Sequence, residues 1–219
     1  MINLEEKFIE WAGVVLGSNV TATKEKYGDQ SSVYRICTPH GNYFMKIAQD
    51  LKIEREKLDW LNGKLSVPKV IEFTRIAGME ALLLSAIEGK NLAELKKEWV
   101  PEKVVNVFAE ALLKFHTTPV DDCPFGKQGR NRILVHGDAC LPNFIFHGDV
   151  FSGYVDLGDM RIDVPETDLS AAIWSLHHNL GSGYGLMFLE KYGAKDATEE
   201  SVEKLRLQYE EVQRQWGLL

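Results

Sequence analysis

Apolar and polar positions in this chain follow two periods, and the balance between them changes near residue 87. The opening MINLEEKFIEWAGVVLG sets Glu5, Glu6 and Glu10 among apolar positions at helical spacing, which predicts an amphipathic helix. Three stretches of strand character follow, Val20 to Lys26, Ser32 to Cys37 and Asn42 to Ile47. They are separated by the turn residues Gly28-Asp29-Gln30 and Pro39-His40-Gly41-Asn42. Helical period returns over Leu51 to Leu61, where Leu51, Leu58 and Leu61 share a face, before strands resume at Val70 to Phe73 and Ala81 to Leu84. The front of the chain is thus expected to form a five-stranded antiparallel sheet with one inserted helix.

Past Ile87-Glu88-Gly89 the pattern turns mainly helical. Asn91 with Glu94 three positions later reads as a capping pair, and Pro101 opens a helix reaching about His116. Leu134-Val135, Phe144-Ile145-Phe146 and Tyr154-Val155 read as short strands, the last two joined by the turn His147-Gly148-Asp149. Everything beyond Gly158 is expected to be helical, over residues 164–179, 183–192 and 198–216. The two halves differ in class, so the expectation is an α+β chain of two lobes, residues 1–87 and 88–219. A hinge between lobes is a preferred place for a ligand cleft.

Composition narrows the function classes. The 219 residues, 45% apolar and 26% charged, describe an ordinary globular chain long enough to bury a core. A formal charge of −7 argues against broad nucleic-acid binding, and it suits a cationic substrate as well as plain solubility. Cys37, Cys123 and Cys140 lack CxxC spacing, so neither a zinc knuckle nor a disulfide framework is indicated and a reducing compartment is expected. The N-terminal segment has no basic n-region, and no apolar run reaches the ~18 residues of a membrane span. A cytoplasmic monomer without membrane or nucleic-acid partners is the expectation.

The chemistry concentrates in VHGDACLPNFIFHGDVFSGYVDLG, residues 135–158. Phosphoryl transfer asks a protein mostly for positioning and for neutralisation of developing charge. Asp138 stands where a carboxylate could take a hydroxyl proton, while Asn143 and Asp156 offer oxygens to magnesium, a hard cation. Each residue alone reads as an ordinary turn residue; the combination is what points to a kinase. His136 is expected to support this loop rather than act as a second base.

The same chemistry needs a cation against the nucleotide phosphates, held by a carboxylate. Lys46 on the third strand and Glu56 on the following helix are the expected pair, with Glu54 the weaker candidate on a different helix face. Phe44 shares a strand face with Lys46, where it either stacks on adenine or packs in the core. Tyr27 to Ser32, including the Ser31 hydroxyl, spans the expected phosphate position. Ser85, Ala86 and Ile87 could offer backbone groups to adenine. No GxxxxGK[ST] motif is present, and Gly181-Ser182-Gly183-Tyr184-Gly185 follows a helix, which reads as an interhelical turn. His177 and His178 lie about 100° apart on a helix, poor geometry for chelating one zinc.

With these residues assembled, the chain resembles the aminoglycoside 3′-phosphotransferases, small-molecule kinases of protein-kinase-like fold. The likeness runs through GDQSSVYRI, YFMK, EREKLDWLNGKLSVPKVIEF, LLLSAIEGKNL, FHTTPVDDCPF, HGDACLPNF, GYVDLG and DVPETDLSAA, HGDACLPN being the most family-specific. The resemblance implies Asp138 as catalytic base, Asn143 and Asp156 as magnesium ligands, and Lys46 with Glu56 on the phosphates of ATP. It also implies Phe44 stacked on adenine, Ser85 to Ile87 lining the adenine site, and Asp168 as a structural support of the catalytic loop. The implied acceptor is a hydroxyl on a cationic aminosugar. The chain departs from the family where GKQGRNRIL replaces several helices between Phe125 and Val135, where Asp159 stands in place of an Arg, and in the tail QYEEVQRQWGLL. There Glu210 and Glu211 are either amine-gripping groups or exposed helix carboxylates. Another small alcohol as acceptor, and nucleotide binding without transfer, stay open as alternatives.

Overall fold

The computed structural model describes residues 3–25, 31–215 and 217. The chain divides into two compact units, residues 1–62 with 67–87, and residues 63–66 with 88–219.

The first unit is built on an antiparallel sheet. Helix α1 (Leu4–Leu16) opens with a capping box in which the Asn3 side chain and Glu6 satisfy each other's backbone N–H groups. Strands β1 (Thr21–Lys24), β2 (Ser32–Thr38), β3 (Gly41–Ala48), β4 (Val70–Ile76) and β5 (Met79–Ser85) form the sheet in the order β1-β2-β3-β5-β4. Helix α2 (Lys52–Leu61) lies in sequence between β3 and β4. The unit therefore holds the expected N-terminal helix and the expected helix inserted in the sheet. Phe8 and Ala12 bury α1 against Tyr34, Ile36, Met45, Ile47, Ala81 and Leu83, so the amphipathic N-terminal helix belongs to this core. Since alternate residues face opposite sides of a strand, Met45 and Ile47 on the α1 side send Phe44 and Lys46 to the other. Register sets Phe44 between Arg35 and Leu84, and Lys46 between Val33 and Leu82.

The second unit carries short strands among helices. Its elements are β6 (Lys90–Asn91), α3 (Leu92–Leu95), α4 (Pro101–His116), β7 (Ile133–Val135), a 3-10 turn at Leu141–Asn143, β8 (Phe144–His147), β9 (Val150–Tyr154), β10 (Arg161–Asp163), α5 (Glu166–Leu180), α6 (Gly185–Tyr192) and α7 (Glu199–Gln215). Phe108, Phe115, Phe144 and Tyr154 meet edge to face at the centre, with ring centroids 4.7–5.5 Å apart. The expectation of helix alone beyond Gly158 is corrected by β10, which pairs antiparallel with β7 and buries Ile162. Three residues are too few for a period to show. Residues 117–132 contain no helix and no strand, only the bridge from Gly126 to Ile162, where the resemblance implied that helices were lost. Residues 63–66 join this unit through Ser66, whose carbonyl accepts from Tyr154 N–H at 2.9 Å and whose hydroxyl donates to the Ser152 carbonyl. Among the described residues no helix is long and apolar enough to cross a membrane.

Candidate functional site

In the second unit two strand pairs hold one loop. The β7–β10 pair fixes its start, and the β8–β9 pair fixes its end, with Phe144 opposite Tyr154. Val155 N–H continues that ladder to the Asn143 carbonyl at 3.0 Å, so Asn143 and Asp156 lie at the same end of the hairpin. Asn143 Nδ2 donates to the Asp138 carbonyl at 2.8 Å and to Asp138 Oδ2 at 2.9 Å. The amide nitrogen is thereby committed to Asp138, and Oδ1 is the atom left to accept or to ligate. Asp156 adopts φ 57°, the left-handed region that a non-glycine residue occupies at a cost and that recurs at functional sites.

A buried carboxylate organises the backbone before Asp138. Asp168, on the first turn of α5, accepts from His136 N–H at 2.6 Å and Gly137 N–H at 2.8 Å, and from His116 Nε2 at 2.9 Å. Gly137 is obligatory there, because its φ is 90° and a Cβ would run into the Asp159 carbonyl. His136 is fully buried, with Nδ1 accepting from Asp138 N–H at 3.4 Å and Nε2 against the Val155 carbonyl at 3.0 Å. A carbonyl only accepts, so Nε2 carries the proton and the ring is committed to holding the loop, as expected. Cys140 sits beside Asp138, and burial first, then that carboxylate, pushes its thiol well above the ordinary range.

The first unit presents the expected cation. Lys46 Nζ pairs with Glu54, at 2.9 Å from Oε2 and 3.1 Å from Oε1, both side chains being largely buried. This corrects the choice of Glu56, which lies 4.0 Å from Lys52 on the exposed side of α2. The reason is helix phase: residue 54 falls on the Leu51, Leu58, Leu61 stripe that faces inward, and residue 56 falls about 200° from it. Phe44 lies on the Lys46 face with the Arg35 guanidinium 5.3 Å from its ring centroid. Ser85 N–H donates to the Lys69 carbonyl and Ser85 Oγ accepts from Lys69 N–H, both at 2.9 Å; Ala86 N–H reaches the Asn42 carbonyl at 3.3 Å. Ile87 N–H makes no hydrogen bond among the described residues. Ser31 is half-buried just before β2, and residues 27–30 of the expected phosphate loop lie outside the described residues.

The donor set suits magnesium. It comprises one amide oxygen and one carboxylate, hard oxygens of the kind that cation prefers when substrate phosphates and water complete its shell. Among the described residues no group of three or more His, Cys, Asp or Glu side chains could hold a metal, and His177 and His178 do not form one. Glu210 and Glu211 are engaged by arginines of their own helix, Glu210 by Arg206 and Arg214, and Glu211 by Arg214 at 2.9 Å.

Two contributors escaped the sequence reading. His116 falls on the Phe108–Leu112–His116 stripe of α4, a signal that was present although its partner lies 52 residues away. Tyr209, on the inner stripe of α7, donates to Asp138 Oδ1 at 2.9 Å.

Comparison with known proteins fits this geometry. Residues 27–134 and 127–205 match the phosphotransferase enzyme family, APH. An aminoglycoside 3′-phosphotransferase of Niallia circulans is 29% identical over 251 aligned positions, covering 91% of this chain and 94% of its own length. A Staphylococcus aureus enzyme of the same name is 34% identical over 101 positions, covering 46% of this chain and 38% of its own. Among solved structures, aminoglycoside-3′-phosphotransferase of type VIII superposes with a TM-score of 0.73 at 18% identity, covering 94% of this chain and 98% of its own. Aminoglycoside phosphotransferase APH(3″)-Id from Streptomyces rimosus, in complex with ADP and streptomycin, gives 0.71 at 19% identity and covers 94% and 96%. At such identities the superpositions speak to fold, which is α+β and protein-kinase-like. The family match extends across both units and takes in the loop that orders Asp138, Asn143 and Asp156, and on that ground the chain belongs to the APH phosphotransferase enzyme family.

Proposed function

We propose that this protein is an ATP- and magnesium-dependent kinase that transfers the γ-phosphoryl group to a hydroxyl of an aminoglycoside-like aminosugar, an activity of the antibiotic-resistance type. One observation carries the reading: a strand-anchored loop orders a carboxylate, an amide and a second carboxylate as phosphoryl transfer requires. The relatives support it, since those aligned over most of this chain are named aminoglycoside 3′-phosphotransferases and a structural neighbour is a complex with ADP and an aminoglycoside.

Asp138 accepts the proton of the acceptor hydroxyl as that oxygen bonds to the γ-phosphorus, and the bond to the ADP oxygen breaks. Asn143 Oδ1 and the Asp156 carboxylate would hold magnesium, which supplies charge neutralisation on the phosphate oxygens. Lys46, oriented by Glu54, meets the nucleotide phosphates, and the Ser31 hydroxyl adds a donor there. Phe44 stacks on adenine, and Ser85 to Ile87 offer it backbone groups, with the Ile87 N–H the open donor. Asp168, His116 and His136 keep the loop in register and touch no reactant.

ADP release measured with kanamycin, streptomycin and gentamicin as acceptors tests this reading, with Asp138→Ala as control. Acceptor-dependent release that Asp138→Ala abolishes, while ATP binding persists, is the expected result. ATP binding without release for any acceptor would mark a nucleotide-binding protein and sink the kinase reading. A smaller amino alcohol is a second acceptor class, favoured by the helix-free 117–132 segment and by the arginine-paired Glu210 and Glu211. Adding amino alcohols to the same screen separates the two.

A further inference from the structure

Among the described residues, the Asp138 carboxylate accepts one hydrogen bond from Asn143 of its own loop and another from far along the chain. Asn143 Nδ2 donates to Oδ2 at 2.9 Å, and the Tyr209 hydroxyl, 71 residues on and carried by α7, donates to Oδ1 at 2.9 Å. Tyr209 is 4% exposed. Its ring meets Trp174 on α5 at 5.5 Å, and its oxygen lies 3.8 Å from Cys140 Sγ. An ionised carboxylate only accepts, which fixes the direction of the bond. Burial above all, with Cys140 and Asp138 beside it, pushes this phenol far above the ordinary tyrosine range, so it stays protonated and stays a donor.

Two donors on different oxygens fix both the tilt and the rotation of a carboxylate that would otherwise turn about its Cβ–Cγ bond. An ionised carboxylate has about four lone-pair sites, more than these two donors use, which leaves room for an incoming hydroxyl. We propose that Tyr209 is a positioning residue for the catalytic base, holding Asp138 in the orientation in which its free lone pairs meet the acceptor. The inference rests on the reading of Asp138 as base. It gives α7 a part in the chemistry that the polar sequence around Gln208-Tyr209-Glu210 does not suggest.

Tyr209→Phe removes one oxygen and keeps the ring packed, so the fold should survive, as a thermal melt would verify. Steady-state ADP release should then show kcat lowered about tenfold, with KM for ATP and for acceptor each within about twofold. Trp174→Phe alters the packing around the same ring but leaves the hydroxyl, and should keep kcat within about twofold. In an Asp138→Asn background, adding Tyr209→Phe should leave the residual rate unchanged, because a residue acting through Asp138 has nothing left to orient. An unchanged kcat in Tyr209→Phe overturns the inference, as does a raised kcat/KM for acceptor, which would show a phenol occluding the site. So does an equal loss from Trp174→Phe, which would make the role one of packing. If Asp138→Asn itself retains full turnover, the reading of Asp138 as base fails first, and the two failures are told apart.

Discussion

Neutralising Glu54 should damage nucleotide handling, while the same change at Glu56 should not. Lys46 Nζ sits 2.9 Å from Glu54 Oε2, with only 17% and 10% of the two side chains exposed. At an effective dielectric of about 20, the gross attraction at that separation is about 6 kcal/mol. Water, and the entropy of ordering two side chains, reduce the net value to about 1.5–3 kcal/mol, the range of hydrogen bonds to charged groups. Glu54→Gln keeps the shape and removes the charge, so Lys46 loses its orientation toward the phosphates. The expected loss in kcat/KM for ATP is about 10- to 100-fold. Glu56 lies 4.0 Å from Lys52, with 40% and 64% of the side chains exposed, a pair worth at most about 0.5 kcal/mol. Glu56→Gln should therefore stay within about twofold. The assay is ADP release at saturating acceptor with ATP varied, for each single variant and for Lys46→Ala with and without Glu54→Gln. In the double variant the second change should add little, since the two residues act as one unit. Equal losses at positions 54 and 56, or additive losses with Lys46→Ala, would refute the pairing as the functional one.

Asp156→Ala should weaken magnesium-nucleotide binding and turnover together, read from a magnesium titration of ADP release; an unchanged magnesium requirement rejects its role as ligand. Asp168→Asn removes the charge that three donors share, which should cost about 3 kcal/mol and lower the melting temperature by about 6–12 °C. A melt that does not move would show that the loop is held by something else. Burial, helped by Asp168 and Glu166, raises the Tyr192 phenol to about 12 from an ordinary value near 10. Because the folded value lies above the unfolded one, its contribution to stability is complete below about pH 10 and is lost as pH rises through about 12. Tyr192→Phe should remove that part of the alkaline decline in denaturant melts taken from about pH 9 to 12, and an identical decline in the variant would contradict the assignment.

The sheet of the first unit is legible because its strands are half-buried and alternate, and because turn residues separate them. The loop from His136 to Asn143 is legible for a different reason: its residue types are constrained by chemistry at fixed local spacing. Lys46 follows from both. Glu54 is readable in principle, since the stripe through Leu51, Leu58 and Leu61 passes through position 54, and helix phase alone separates it from Glu56. β10 was not readable, because Arg161-Ile162-Asp163 is a strand only by virtue of pairing with β7. Nor were the links from His116 to Asp168 and from Tyr209 to Asp138, which span 52 and 71 residues. Local pattern shows that such a side chain is inward; only the tertiary arrangement shows what it meets. The pairing of Glu210 with Arg206 could have been anticipated from i,i+4 spacing alone.

Residues 63–66 lie in sequence inside the first unit and fold with the second, where Gly153 passes so close beneath Ser66 that a Cβ would sit 2.6 Å from its carbonyl oxygen. No single cut therefore separates this polypeptide into two self-sufficient fragments. A piece ending at Ile87 would carry away the tetrapeptide that β9 depends on, leaving Tyr154 N–H and the Ser152 carbonyl without their partner in the remaining piece. Work on the rear half in isolation calls for a transplanted Gly-Lys-Leu-Ser segment or a circular permutant that retains it.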